Sequence, residues 1–236
     1  MTELLYHMDA YLKDFHAVIV DQRGAEVRLD RTAFYPGGGG QPADDGWLEA
    51  AGGRIGLTGS RKDDAGVWHV LEAEAPGPGA GVQGHLDWDR RYQLMRTHTA
   101  MHILCGVIWK QYGASVTGGN MEPLKGRMDF EFESMRQELV REIEELINRE
   151  VSAARPIHTR VLPREEAFEI PDLIRTKINL LPPGIAEVRV VEIEGLDLQA
   201  DGGTHVANTR EVGPLRIVDY KSKGAINKRL VVALDG

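Results

Sequence analysis

The stretch Asp89-Arg-Arg-Tyr-Gln-Leu-Met-Arg-Thr-His-Thr-Ala-Met-His-Ile-Leu-Cys-Gly-Val-Ile-Trp-Lys-Gln-Tyr112 divides the chain into two kinds of sequence. It has no proline and a single glycine, Gly106. Leu94, Met95, Met101, Leu104 and Ile108 recur at helical spacing, and Ile103 and Val107 widen the stripe, which predicts a mostly buried helix. Upstream, short apolar runs such as Ala17–Val20, Arg54–Leu57, Val67–Leu71 and Val82–Leu86 alternate with Gly/Pro-rich turns. Many short strands with such turns predict a small antiparallel β-barrel or sandwich over residues 1–86.

Downstream, Met128, Phe130 and Phe132 alternate with Asp129, Glu131 and Glu133, as a half-buried strand would. Ser134-Met-Arg-Gln137 reads as a capping box opening a second helix to about Ala153, with Leu139, Ile143, Leu146, Ile147 and Val151 inward. Seven Glu against three Arg between 131 and 150 leave its outer face acidic, a solvated face. Strands are expected at 157–161, 188–193, 215–218 and 230–234, with a short helix at 163–170. The whole is α+β, with an antiparallel sheet and packed helices in residues 87–236.

Composition narrows the function classes. The 236 residues carry 28 Lys+Arg against 36 Asp+Glu, a net charge of −8, with 42% hydrophobic and 27% charged residues. That balance fits a globular chain and argues against a protein coated in positive charge for indiscriminate nucleic-acid binding. One cysteine excludes an internal disulfide and suits a reducing compartment. No run of 18 apolar residues suggests a membrane helix, and Met1–Asp9 lacks signal-peptide features, so a cytoplasmic protein is expected.

His98 and His102 stand at i and i+4 on the first helix, one turn apart on one face, where two imidazoles can share a metal ion. Two packed histidines are the plain alternative. Thr99 occupies the position where a His-Glu-x-x-His zinc protease needs its glutamate. Cys105 is seven residues from His98, about 10.5 Å along the axis, too far to share an ion with it. In Asp201-Gly-Gly-Thr-His205, a Gly-Gly turn lets Asp201 and His205 face the same way. Together with the helical pair they make three imidazoles and a carboxylate, an acceptable tetrahedral set. An ordinary turn in which Asp201 accepts backbone N–H bonds is the alternative.

His98-Thr-Ala-Met-His102 with Asp201-Gly-Gly-Thr-His205 resembles the editing domain shared by alanyl- and threonyl-tRNA synthetases. Leu29-Asp-Arg-Thr-Ala-Phe-Tyr-Pro-Gly-Gly-Gly-Gly-Gln-Pro42 is similar to the glycine-rich motif of free-standing alanyl-tRNA editing proteins of the AlaX type, medium form. Tyr220–Arg229 resembles their basic C-terminal segment, so the likeness runs over residues 29 to 229. It implies a barrel-like domain ahead of an editing core, and a deacylase that works without ATP on the acceptor end of mischarged tRNA(Ala). The expected substrate is Ser-tRNA(Ala), with Gly-tRNA(Ala) a further one. It implies one Zn2+ held by His98, His102, Asp201 and His205, with Asp201 where the family usually has cysteine. Ala225 stands where relatives often have lysine. By similarity, Thr32 reads the seryl hydroxyl, while Gln41 and the Gly37, Gly38, Gly39 and Gly40 run approach the aminoacyl end. Arg96, Lys221, Lys223, Lys228 and Arg229, with Arg90 and Arg91, are expected to contact tRNA phosphates. Residues 209–236 hold six Lys/Arg against three acids. Deacylation of another mischarged tRNA, or noncatalytic tRNA binding, stay open as alternatives.

Overall fold

Along Asp14–Arg23 the side chains of Phe15, Ala17 and Ile19 are buried while their neighbours face outward, the period-two pattern of a half-buried strand. The computed structural model describes residues 2–174 and 184–236. Its first compact unit, Met1–Tyr92, contains β1 (Glu3–Leu4), α1 (Leu5–Met8), β2 (Asp14–Arg23), β3 (Glu26–Leu29), β4 (Arg31–Thr32), β5 (Gly46–Ala50), β6 (Gly53–Asp63), β7 (Gly66–Leu71) and β8 (Gly81–Leu86). Strands β2-β3-β7-β6-β5-β8 close an antiparallel barrel in that order, and β1 pairs in parallel with β4 as a separate two-stranded sheet. Register shifts at Ile19/Asp21 and Leu57/Gly59 bend the long strands, which helps the sheet close. Phe15, Ile19, Leu29, Phe34, Leu48 and Leu71 fill the interior.

The second unit, Gln93–Gly236, takes most of α2 (Trp88–Tyr112), then β9 (Val116–Glu122), β10 (Lys125–Glu131), α3 (Gln137–Ser152), β11 (Ile157–Pro163), α4 (Arg164–Glu169), β12 (Glu187–Ile193), β13 (Asp197–Ala200), β14 (Leu215–Ser222) and β15 (Asn227–Leu234). Two antiparallel sheets form, β14-β15-β10-β9 and β11-β12-β13. Leu94, Met95, Ile103, Leu104 and Ile108 of α2 are fully buried, as the spacing predicted. Helix α3 buries Val140, Ile143, Ile147 and Val151 and exposes Glu138, Glu142 and Glu145. The α+β class and the antiparallel barrel both stand. Among the described residues no helix is long and apolar enough to cross a membrane.

Two local expectations change, and one strand is added. Ser134 does not cap α3; the helix starts at Gln137 behind Arg136, with no side-chain cap. A reciprocal capping box forms instead at Asn208–Glu211, which opens a single 3-10 turn. Asp129, expected on the wet face of β10, is buried because Arg229 on β15 meets it with two hydrogen bonds of 2.7 and 2.8 Å. The pairing strand β9 was invisible in sequence because Val116-Thr-Gly-Gly-Asn-Met-Glu122 has neither strand propensity nor clean alternation.

Inside the barrel unit one ionisable ring is wholly buried. His69 on β7 packs against Phe34, Nδ1 lies 3.1 Å from Ser60 Oγ, and Nε2 has no hydrogen-bond partner among the described residues. Burial penalises its charged form and pushes its pKa from 6.5 down to about 4. The unfolded chain therefore binds a proton that the folded chain refuses between these values. Stability from this residue is complete above pH 6.5 and falls as the pH drops toward 4. Between pH 7.5 and 5 the loss is about 2 kcal/mol. Urea unfolding at the two pH values should show His69→Phe losing less stability than the parent by about that amount; an identical loss in both would exclude His69 as the source.

Candidate metal centre

Helix α2 brings His98 and His102 one turn apart, both buried, with ring centroids 5.1 Å apart. The loop leaving β13 supplies the rest. Asp201 Oδ1 accepts the Gly203 N–H at 2.5 Å, which curls the Gly202-Gly203 turn back on the carboxylate. Arg189 on β12 holds this loop from behind: its Nη1 donates to the carbonyls of Asp201 and Gly203, each at 2.9 Å. His205 is thereby brought over the helix, stacked on His98 at 4.3 Å and edge-on to His102 at 4.6 Å.

The four expected ligands converge. One donor atom from each of His98, His102, Asp201 and His205 lies within 4.8 Å of the other three. Asp201 Oδ2 is 3.3 Å from His98 Nε2 and 3.7 Å from His102 Nε2, and Oδ1 is 3.4 Å from His205 Nε2. The two contacts made by Oδ2, 3.3 and 3.7 Å, lie near the edge of a tetrahedron, about 3.3 Å, for ligands bonded at about 2.0 Å to a central ion. Buried nitrogen donors with one carboxylate suit a divalent cation of the zinc type.

Within the cluster the buried charges offset one another. Burial alone would lower the pKa of His102, but hydrogen bonds to Asp197 and Asp201, and their charges, outweigh it and raise the value to about 9. For Asp201, burial opposes ionisation, yet the charge of His98 and hydrogen bonds from the three imidazoles hold its carboxyl well below the usual range. Burial, followed by the nearby His98, pushes His205 well below 6.5.

Two neighbours of the cluster were not singled out as partners. Thr99 Oγ1 lies 3.3 Å from His205 Nδ1 and accepts the Val206 N–H at 3.3 Å. Asp197 Oδ2 lies 3.1 Å from His102 Nδ1. Position 99 drew notice only as the missing glutamate, and Asp197 sits on a four-residue strand with no sequence signal. Cys105 is buried on α2 and lies outside the four-residue group.

The glycine motif belongs to the barrel unit. Gly37, Gly38, Gly39 and Gly40 all have positive φ, from +58° to +130°, a path closed to most side-chain-bearing residues. Gly38 and Gln41 exchange backbone hydrogen bonds of 3.0 and 2.9 Å, and Tyr35 Oη donates to the Gly38 carbonyl at 3.0 Å. The base of this loop is held by a buried ion pair. Arg91 Nε reaches Asp44 at 2.9 and 3.0 Å, Nη2 donates to the Ala33 carbonyl, and Asp44 Oδ2 accepts the Tyr35 N–H. Gln41 and Thr32 are both buried, and Thr32 Oγ1 accepts the Phe34 N–H at 3.1 Å.

Several expected phosphate contacts are engaged inside the protein. Arg91 is fully buried and therefore no phosphate contact. Arg90 pairs with Asp45 at 2.7 Å. Arg96 donates to the carbonyls of Val212 and Asp235. Lys228 is buried, its Nζ on the carbonyls of Gly224 and Ala225, and Arg229 is the partner of Asp129. Lys221 and Lys223 at the β14–β15 turn are exposed, with Lys221 2.9 Å from Asp219.

Residues 188–231, which include the Asp201–His205 loop, match the family described as the threonyl and alanyl tRNA synthetase second additional domain. Residues 7–90 match tRNA synthetases class II (A). The alanyl-tRNA editing protein AlaX-M of Saccharolobus solfataricus is 40% identical over 235 residues, 98% of each chain. That of Methanosarcina barkeri is 38% identical over 241 residues, 99% of each. The chain belongs to the AlaX-M alanyl-tRNA editing family. The alanine–tRNA ligase of Ignicoccus hospitalis is 39% identical over 226 residues, 93% of this chain but 24% of that protein. The AlaX-M family thus shares nearly its whole length with one part of a much larger enzyme.

For this AlaX-M family member the cluster geometry makes a direct demand on Asp201. Asp201→Ala removes one of four donors and should weaken zinc binding by more than about tenfold. Competition with a chromophoric chelator measures this, and an unchanged affinity would remove Asp201 from the ligand set.

Proposed function

We propose that this chain deacylates mischarged tRNA(Ala) in trans, hydrolysing the ester of Ser-tRNA(Ala) and also Gly-tRNA(Ala), with one zinc ion held by His98, His102, Asp201 and His205. The observation that carries the reading is the convergence of these four side chains within 4.8 Å. It occurs in a chain 40% identical, end to end, to an alanyl-tRNA editing protein. In this division of labour residues 1–86 supply the glycine-rich turn and residues 87–236 the metal centre.

A bound zinc ion would polarise the ester carbonyl or orient the amino and hydroxyl groups of the substrate. Four protein donors favour the orienting role, because catalytic sites usually keep one position open. Asp201 contributes the negative charge that balances the ion. Gly39 and Gly40 are exposed and carry no side chain, so their peptide N–H groups can come close to the terminal ribose or a developing oxyanion. Gln41 is offered as a helper at the base of that turn. Thr32 is offered as the reader of the seryl hydroxyl: its Oγ1 accepts the Phe34 N–H, which orients the side chain and leaves its own proton to donate. Because Thr32 is buried, its contact with substrate requires the surrounding loop to move. A pocket built to bond a hydroxyl discriminates strongly against its absence, which is the choice between serine and alanine.

The acceptor end of tRNA is the proposed partner, met by Lys221 and Lys223 at the exposed turn. Lys228 supports that turn, Arg229 braces β15 against β10, and Arg96 holds the far end of the β14–β15 pair, through the hydrogen bonds described above.

Incubation of the purified chain with Ser-, Gly- and Ala-tRNA(Ala), with and without chelator, tests the proposal. Serine should be released and alanine retained, with release slowed by the chelator; no release of serine in any condition would leave only tRNA binding. Thr32→Val should slow serine release by at least about tenfold with little change in melting temperature. Equal rates would discharge Thr32 from this role. Replacing Lys221 and Lys223 by alanine should weaken tRNA binding and lower its salt slope by up to about 1 per residue, with zinc content unchanged.

A further inference from the structure

The ring nitrogen of His102 that points away from the cluster meets a second carboxylate. Asp197 opens β13 with its side chain fully buried, and its Oδ2 is 3.1 Å from His102 Nδ1. The same oxygen accepts the Gln199 Nε2–H at 2.6 Å, which fixes the carboxylate from its other side. Oδ2 already serves as acceptor for Gln199, and the same role toward His102 puts the hydrogen of this contact on Nδ1. Whenever the ring is neutral, the lone pair is then on Nε2, the atom 3.7 Å from Asp201 Oδ2.

Helix α2 is shaped for this contact. Gly106 lies one turn beyond His102, and a Cβ there would be 3.0 Å from the Cβ of Asp197 and 3.0 Å from Leu196 Cγ. Glycine is among the least favourable residues in a helix interior. Here its missing side chain is what admits Asp197 to the helix surface. The outer ring nitrogen of His205, Nδ1, by contrast faces a neutral hydroxyl, that of Thr99, at 3.3 Å.

We infer that Gly106, Asp197 and Gln199 form a positioning unit that locks His102 in its Nδ1–H tautomer, presents Nε2 to the metal and strengthens it as a ligand. The inference rests on the metal reading of the four-residue cluster. A carboxylate behind a ligating imidazole orients the ring and raises its basicity, and loss of such a partner typically lowers metal affinity by about 10–100-fold.

Zinc affinity by chelator competition, the visible spectrum of the cobalt-substituted protein and long-range 1H–15N correlation of the histidine rings in the zinc-loaded chain test it. The parent protein should show His102 protonated at Nδ1 and ligated through Nε2. Asp197→Leu should weaken zinc binding by about 10–100-fold and shift the cobalt bands. Asp197→Asn keeps an oxygen acceptor without the charge, so it should keep the Nδ1–H tautomer with about a tenfold loss. Gly106→Ala, which crowds Asp197 without touching its chemistry, should fall in the same direction. A purely structural role would change the melting of the metal-free chain and leave affinity, cobalt spectrum and tautomer unmoved, and that result would overturn the inference. If Asp197→Leu does not fold, Asp197→Asn decides: parental affinity in that variant counts against the inference. Failure of the parent chain to take up zinc or cobalt would overturn the metal reading itself, and this inference with it. That outcome is distinct from parental uptake with indifferent variants.

Discussion

Asp201 places one negative charge among three buried imidazoles, and much of the second unit is arranged to make that possible. Packing His98, His102 and His205 with ring centroids 4.3–5.1 Å apart has little value as hydrophobic core, since each ring carries a polar nitrogen that must find a partner. The carboxylate supplies part of that partnership and a cation would supply the remainder. Helix α2 is buried on nearly every side to hold two of the rings, and β12 contributes Arg189 to keep the Asp201–Gly203 backbone in one path. Without that clamp the turn would be a surface loop free to sample other paths.

The glycine-rich turn of the barrel unit is held by a related device. Arg91 and Asp44 are both sealed from solvent, and between them they bind the backbone of Ala10, Ala33 and Tyr35. A buried ion pair gains little net stability over a well-packed apolar pair, but breaking one partner is costly. Its plainer consequence is geometric: the entrance to the Gly37–Gly40 run is fixed while the exposed glycines stay free of side chains. The arginines beside the histidine pair, which as sequence look like a phosphate-binding cluster, are consumed in such internal work. The charge of the molecule thus matters less than its distribution. A net −8 coexists with an exposed basic turn at Lys221 and Lys223.

Much of the fold was legible because burial leaves a period. The apolar positions 143, 147 and 151 of α3 report one buried face, and the stripe on α2 a helix buried nearly all round. What escaped detection escaped for identifiable reasons. Strand β9 is glycine-rich and exists through pairing with β10; β13 is four residues long, too short for any period. Ser134-x-x-Gln137 satisfies a capping pattern, yet the chain enters α3 in extended conformation at Arg136 and leaves the serine outside. Local patterns report what a segment can do, and tertiary pairing decides whether it does.

By itself the sequence determined the donor chemistry: a helical His pair, a distant Asp-Gly-Gly-Thr-His segment and a run of four glycines, all of them residue types that few other roles demand together. Only the tertiary structure decided which atoms meet. The 3.3 and 3.7 Å separations of Asp201 from His98 and His102, the carboxylate of Asp197 behind His102 and the removal of Arg91 from the surface depend on contacts between residues tens of positions apart. The physical reason is that spacing along a chain fixes neighbours only within a helix or a turn. A side chain's partner across the fold is set by how whole elements pack, and at Gly106 that packing brings Asp197 and Leu196 to within 3.0 Å of where a Cβ would stand.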